Sequence, residues 1–154
     1  GRAPQPHAAH ARRGRVGVRL VSGGGEPGAL VPGGLVAGEL QPGSVTDALA
    51  VALEMAPLPA HEVLAGAPLA GYAVLGHIGV GDDALEVGVW EMTEGTATDV
   101  EADEVFVVLA GSATVEIEGV ATPLELNPGT VVHLSAGMRT VWTVHEALRK
   151  FVVS

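Results

Sequence analysis

The chain has 154 residues, enough for one domain and short for two, and at 47% hydrophobic it can bury a core. It has no cysteine, which excludes disulfides, thiolate nucleophiles and zinc–thiolate sites. The net charge of −10 is uneven: up to Glu54 five Arg face four acids, whereas from Met55 onward three bases face fourteen, a surplus that repels phosphate backbones and argues against a nucleic-acid partner.

Residues 1 to about 47 carry no sustained period of 3.6 or of 2. They are built largely from Gly, Pro, Ala and Arg, as in "GRAPQPHAAHARRGRVG" and "SGGGEPGALVPGG". Such sequence buries little, so a disordered or loosely attached extension is expected over 1–54, with a folded domain over 55–154. One short helix is predicted inside the extension, at "SVTDALAVALEMA" (44–56), capped by Ser44 or Thr46 and ended by Pro57.

After residue 60, short apolar and β-branched runs alternate with turn signals. "GYAVLGHIGV" (71–80) and "ALEVGVWEM" (84–92) read as strands around an Asp82–Asp83 turn, and "TEG" (93–95) as the next turn. "TDVEADE" (98–104) reads as a solvated acidic loop, which accounts for Glu101 and Asp103. "EVFVVLAG" (104–111) is too apolar for one wet face and is expected to be central. A turn at Gly111 leads into "GSATVEIEG", where Ala113, Val115 and Ile117 take one face. "TPLELN", "TVVHLSAG", "RTVWTVHE" and "LRKFVV" follow as strands. Strands at 8- to 12-residue spacing, with no helical pattern between them, predict an all-β sandwich or barrel.

Three stretches carry a family resemblance: "GVWEMTEGTATD", "DEVFVVLAGSATVEIEG" and "LNPGTVVHLSAGMRTVWTVHEALRKFVV". Glu104 followed by Gly111 is similar to the end of the first cupin motif, and "NPGTVVHLSAG" to the start of the second. Over about residues 60–153 the chain resembles the small single-domain cupins of the ureidoglycine aminohydrolase-like family, a group that includes the ethanolamine-utilisation cupin. The resemblance implies a jelly-roll β-barrel with an internal pocket, often a dimer, and commonly a divalent metal held by two or three His and one Glu.

The metal ligands must be carried over one by one. Glu104 falls on the family glutamate and shares a strand face with Phe106 and Val108. The first-motif histidines fall near Ala97 and Asp99, the second-motif histidine near Thr140, and the usual proline is Ser135. Three imidazoles are therefore missing, and no cofactor is expected. Asp99, Glu104 and Thr140 would form only an incomplete oxygen cage for a hard cation held weakly. The remaining histidines, including His133 and His145, do not restore the set.

A buried carboxylate needs a compensating partner. Lys150 is the only lysine, and it neighbours Arg149, so one of the two faces the barrel. Lys150 is the expected partner of Glu104 or Asp99, with Arg139 pointing outward. Trp142 shares its face with Thr140 and either walls a ligand pocket or plugs the core; Trp90 is placed similarly. The expected catalytic residues are Glu104 and Lys150. The expected ligand-binding residues are Trp142, Trp90, Thr140, Phe106 and Asp99. The expected partner is a small polar molecule, acidic or nitrogenous. No apolar window is long enough for a membrane span, and the basic start leads into glycines rather than an apolar signal core, so a cytoplasmic protein without membrane contact is expected, possibly a homodimer. A non-catalytic binding or assembly module on the same barrel is the alternative.

Overall fold

In the computed structural model, which describes residues 40–154, the segments that read as strands join three short ones that do not, at Ala56–Pro57, Val63–Ala65 and Gly95–Val100, in one rolled antiparallel sheet of nine strands. They are β1 (Ala56–Pro57), β2 (Val63–Ala65), β3 (Leu69–Ile78), β4 (Leu85–Met92), β5 (Gly95–Val100), β6 (Glu104–Ile117), β7 (Leu124–Leu126), β8 (Val131–Leu134) and β9 (Arg139–Val153). Among the described residues there is no α-helix, and none long and apolar enough to cross a membrane. The fold is all-β, as expected.

The path β1-β3-β4-β9-β5-β2 runs along one side, and β6 pairs with β7, β8 and β9 on the other. Strand β9 holds these together. One of its edges takes β6 along its length; the other takes β5 over 139–144 and β4 over 148–153. The two strands expected in this region, "RTVWTVHE" and "LRKFVV", are therefore one continuous strand. Its even-numbered residues Thr140, Trp142, Val144, Leu148, Lys150 and Val152 are buried, as period-2 alternation dictates.

Gly111 does not turn the chain back as expected. It lies inside β6 at φ +84°, where the register against β9 slips between Val108 and Ala113. This is a β-bulge, and it changes the parity of the buried face. Before it Glu104, Phe106 and Val108 point inward; after it Ala113 and Val115 do. The bend lets one strand serve both halves of the rolled sheet. A Cβ at Gly111 would meet the Ala147 and Glu146 carbonyls, so only glycine fits there.

The inner core joins Trp90, Met92, Phe106, Leu126, Leu134, Trp142 and Leu148. Burying each of the large aliphatic members contributes roughly 1.5–3 kcal/mol. A second cluster lies on the outside of β3, β4 and β9, where Val51, Ala73, Leu75, Val87 and Val89 pack with Leu40, Ala48 and Leu53. The extension expected over 1–54 lies outside the described residues as far as residue 39; residues 40–53 lie along this outer face.

The helix expected at 44–56 does not form. Asp47 closes a local turn instead, its side chain accepting from Leu49 N at 3.0 Å and its carbonyl from Ala50 N at 3.0 Å. Arg149 Nη1 then donates to the carbonyls of Ala48, Leu49 and Val51 at 3.1, 3.0 and 2.8 Å, while its Nε donates to Glu91 Oε2 at 2.6 Å. Carbonyls held this way satisfy their hydrogen bonding without a helix.

Candidate functional site

Every residue singled out for a site faces the barrel interior. Lys150 on β9 is the register partner of Trp90 on β4 and of Val108 on β6, so the three side chains share the inner face of the sheet. Its Nζ donates to Glu104 Oε1 at 2.7 Å, with the two side chains 4% and 1% exposed. The ammonium also lies 4.1 Å from the Phe106 ring centroid and 4.8 Å from those of Trp90 and Trp142. Trp142 tilts against both other rings, at 5.8 Å from Trp90 and 5.9 Å from Phe106. Three aromatic faces and one carboxylate thus surround one cation, each contact favourable to the charged amine. The alternate disposition of neighbours holds as well: Arg149 faces outward to the 40–53 segment, and Arg139 is exposed beside Glu118 at 3.8 Å.

A second polar group adjoins the first. Asp99 on β5 and Thr140 on β9 are register partners, both buried. Between them and Lys150 stands Glu101, 3% exposed. This corrects the reading of 98–104 as a solvated loop: Thr98–Val100 belong to β5, and Glu101 turns its side chain inward. Thr140 Oγ1 donates to Glu101 Oε1 at 2.5 Å, and Trp142 Nε1 donates to the same oxygen at 2.8 Å. The backbone fixes the turn, with Glu101 N bonded to the Met138 carbonyl at 2.8 Å and the Glu101 carbonyl accepting from Gly137 N at 2.9 Å. Burial, and next the nearby Asp99 carboxyl, push the Glu101 pKa upward against the opposing bonds from Thr140 and Trp142 and the attraction of Lys150. Strand alternation assigns no face to a loop residue, so nothing in the pattern marked Glu101 beyond its carboxyl lying between two inward positions.

Tyr72 is also part of the interior surface. It is the β3 partner of Trp90, and its ring lies over Gly88, where a Cβ would collide with it. Its hydroxyl donates to Glu86 Oε1 at 2.9 Å. Burial, and then that bond, hold the phenol well above its ordinary value of 10.0, so it stays protonated.

The divalent metal that the cupin resemblance implies does not fit these residues. Ala97, Asp99 and Thr140 stand at the histidine positions, and the glutamate is engaged by an ammonium. The histidines lie elsewhere: His133 is exposed on β8, and His145 Nε2 is 2.8 Å from Thr114 Oγ1 on the outside of the sheet. Among the described residues, no three His, Cys, Asp or Glu side chains are grouped to hold an ion, the Asp99–Glu104 set included.

The rolled antiparallel sheet is a barrel-like all-β fold, and a family model of a cupin domain matches part of the chain. A model of the EutQ-like cupin domain matches residues 81–151. Among solved structures, a protein of unknown function of the DUF861 family from Pseudomonas syringae pv. tomato str. DC3000 is similar at 23% identity and a TM-score of 0.58, over 70% of this chain and 45% of that one. The EutQ protein of Clostridium difficile is 20% identical with a TM-score of 0.46, over 56% of this chain and 67% of that one. A search of curated proteins finds no significant match.

Proposed function

We propose that this cupin barrel acts on a small polar compound, nitrogenous or carboxylated, by proton transfer at Lys150 and Glu104, without an imidazole-bound transition metal. The observation that carries the reading is the Lys150–Glu104 pair, 2.7 Å apart and enclosed by Trp90, Phe106 and Trp142. An ammonium and a carboxylate at that distance form a ready acid and base. Glu104 is the acid/base, Lys150 supplies its counter-charge, and the three rings form the wall against which a ligand stacks. Asp99 and Thr140 extend the polar lining. The resemblance to ureidoglycine aminohydrolase-like cupins supports a ureido or amino compound as substrate and a homodimer as the assembly, and the cysteine-free composition supports a cytoplasmic setting.

A second reading is favoured by one observation. Lys150, Glu104, Trp90, Phe106 and Trp142 are each 4% exposed or less. So closed an interior also suits a non-catalytic module in which the pair only fixes the barrel. Titration followed by tryptophan fluorescence separates the two, because both tryptophans lie at the pair. Ureido compounds, small amines and small carboxylic acids are each added to the wild type and to the double variant Glu104→Met/Lys150→Met. The first reading expects a saturable response to at least one class in the wild type, absent in the double variant. No saturable response to any class in the folded wild type removes it in favour of the second.

A further inference from the structure

Three aromatic rings enclose the Lys150 ammonium, and something must fix the angle at which each is turned. Trp142 packs on Trp90 and Phe106 with centroids 5.8 and 5.9 Å apart and planes tilted by 56° and 41°. Such ring contacts depend weakly on angle and tolerate sliding. The polar handle of an indole is its N–H, which seeks an acceptor when buried. In Trp142 this group donates to Glu101 Oε1 at 2.8 Å, with Thr140 Oγ1 a longer 3.1 Å away.

Thr140 does not take the place of Glu101 here. Its own hydroxyl donates to the same oxygen, Glu101 Oε1, at 2.5 Å. One carboxyl oxygen therefore gathers both donors, and Thr140 is itself held by it. Glu101 is fixed in turn from outside the cage, through the Met138 carbonyl at 2.8 Å and Gly137 N at 2.9 Å. Its side chain is buried, so solvent competes little for the indole proton. The contacts run from the turn before β9 through Glu101 to the Trp142 N–H. From the face of that indole they continue to Lys150 Nζ at 4.8 Å, and from there to Glu104 at 2.7 Å.

We propose that Glu101 is a positioning residue for the Lys150–Glu104 pair: by holding the Trp142 N–H it sets the angle of the indole against the ammonium. The inference rests on the reading that takes the caged pair as the reacting groups. The Glu101 carboxyl also attracts Lys150 through space, so the test separates reach from charge. Glu101→Gln keeps the length and the acceptor but carries no charge. Glu101→Asp keeps the carboxyl but falls one methylene short of the indole. The two tryptophans give two indole ¹H–¹⁵N signals, and the single lysine gives one ε-methylene signal in protein labelled with ¹³C-lysine. A proton bonded to a carboxyl resonates downfield, and protons held over ring faces resonate upfield. In the ligand-free wild type the Trp142 indole proton is expected downfield, and the Lys150 ε-methylene upfield, of their positions in the urea-unfolded chain. Glu101→Gln is expected to keep both signals. Glu101→Asp is expected to move both toward the unfolded positions, while the dispersion of the amide signals shows the fold retained. Unmoved signals in folded Glu101→Asp would overturn the proposal. Displacement in Glu101→Gln as large as in Glu101→Asp would also overturn it, because charge rather than reach would then hold the ring. Wild-type signals at their unfolded positions would overturn it whether or not either variant folds. No ligand is present, so these outcomes stand apart from the ligand titration that tests the proposed chemistry.

Discussion

Replacing Lys150 by methionine removes the ammonium from beside a carboxylate that is 1% exposed. Breaking a buried pair from one side costs about 3–5 kcal/mol, because the remaining charge stays desolvated. Replacing both partners by apolar groups of similar size removes that penalty. Lys150→Met is therefore expected to lose about 3–5 kcal/mol in urea unfolding, and Glu104→Met/Lys150→Met to recover most of it. Glu101 gives a second prediction at this scale. Its folded pKa is raised above the ordinary value of 4.5, so between that value and the folded pKa the native state binds more protons than the unfolded chain. The stability this contributes is fully present below 4.5 and is lost as pH rises through the folded pKa. Glu101→Gln keeps an acceptor for Thr140 and Trp142 but cannot ionise. Its thermal midpoint is expected to rise relative to the wild type as pH goes from 4.5 toward neutrality, when both are melted across that range. The sequence made Glu104 and its lysine partner legible because both sit on strands of known parity. Glu101 stayed hidden because its direction is set by a turn that Met138 and Gly137 pin from another strand end.

At the level of the element, alternation identified faces correctly but not the continuity of strands. Ala113 and Val115 were assignable to one face, and so were Glu104 and Phe106, yet the link through Gly111 read as a turn. A bulge and a tight turn share the same glycine signal; only the pairing of β6 with β9 on both sides of Gly111 distinguishes them. The same holds for β9, whose corner near Glu146 resembles a break. Gly111→Ala tests the bulge. The φ of +84° and the carbonyls of Ala147 and Glu146 both oppose a side chain, so a loss of about 2–4 kcal/mol is expected in chemical denaturation. The 44–56 segment misled for a different reason. Its helical propensity is local, and three carbonyls taken by Arg149, about a hundred residues away, outweigh it.

For the whole molecule, the fold was legible because strand spacing, turn residues and the two cupin-like motifs pointed the same way. The Lys150–Glu104 pair was legible mainly through departures from the motifs the chain resembles. Ala97, Asp99 and Thr140 stand where those motifs carry histidine, and an ammonium enclosed by three aromatic rings stands against Glu104. The central claim is that Lys150, rather than a transition metal, neutralises Glu104 within this barrel. Elemental analysis of purified protein, grown with zinc, iron and manganese supplied and compared with Glu104→Ala, tests it most directly. The account predicts no stoichiometric transition metal in the wild type and no change in Glu104→Ala. One equivalent of metal in the wild type, lost in Glu104→Ala, would contradict it.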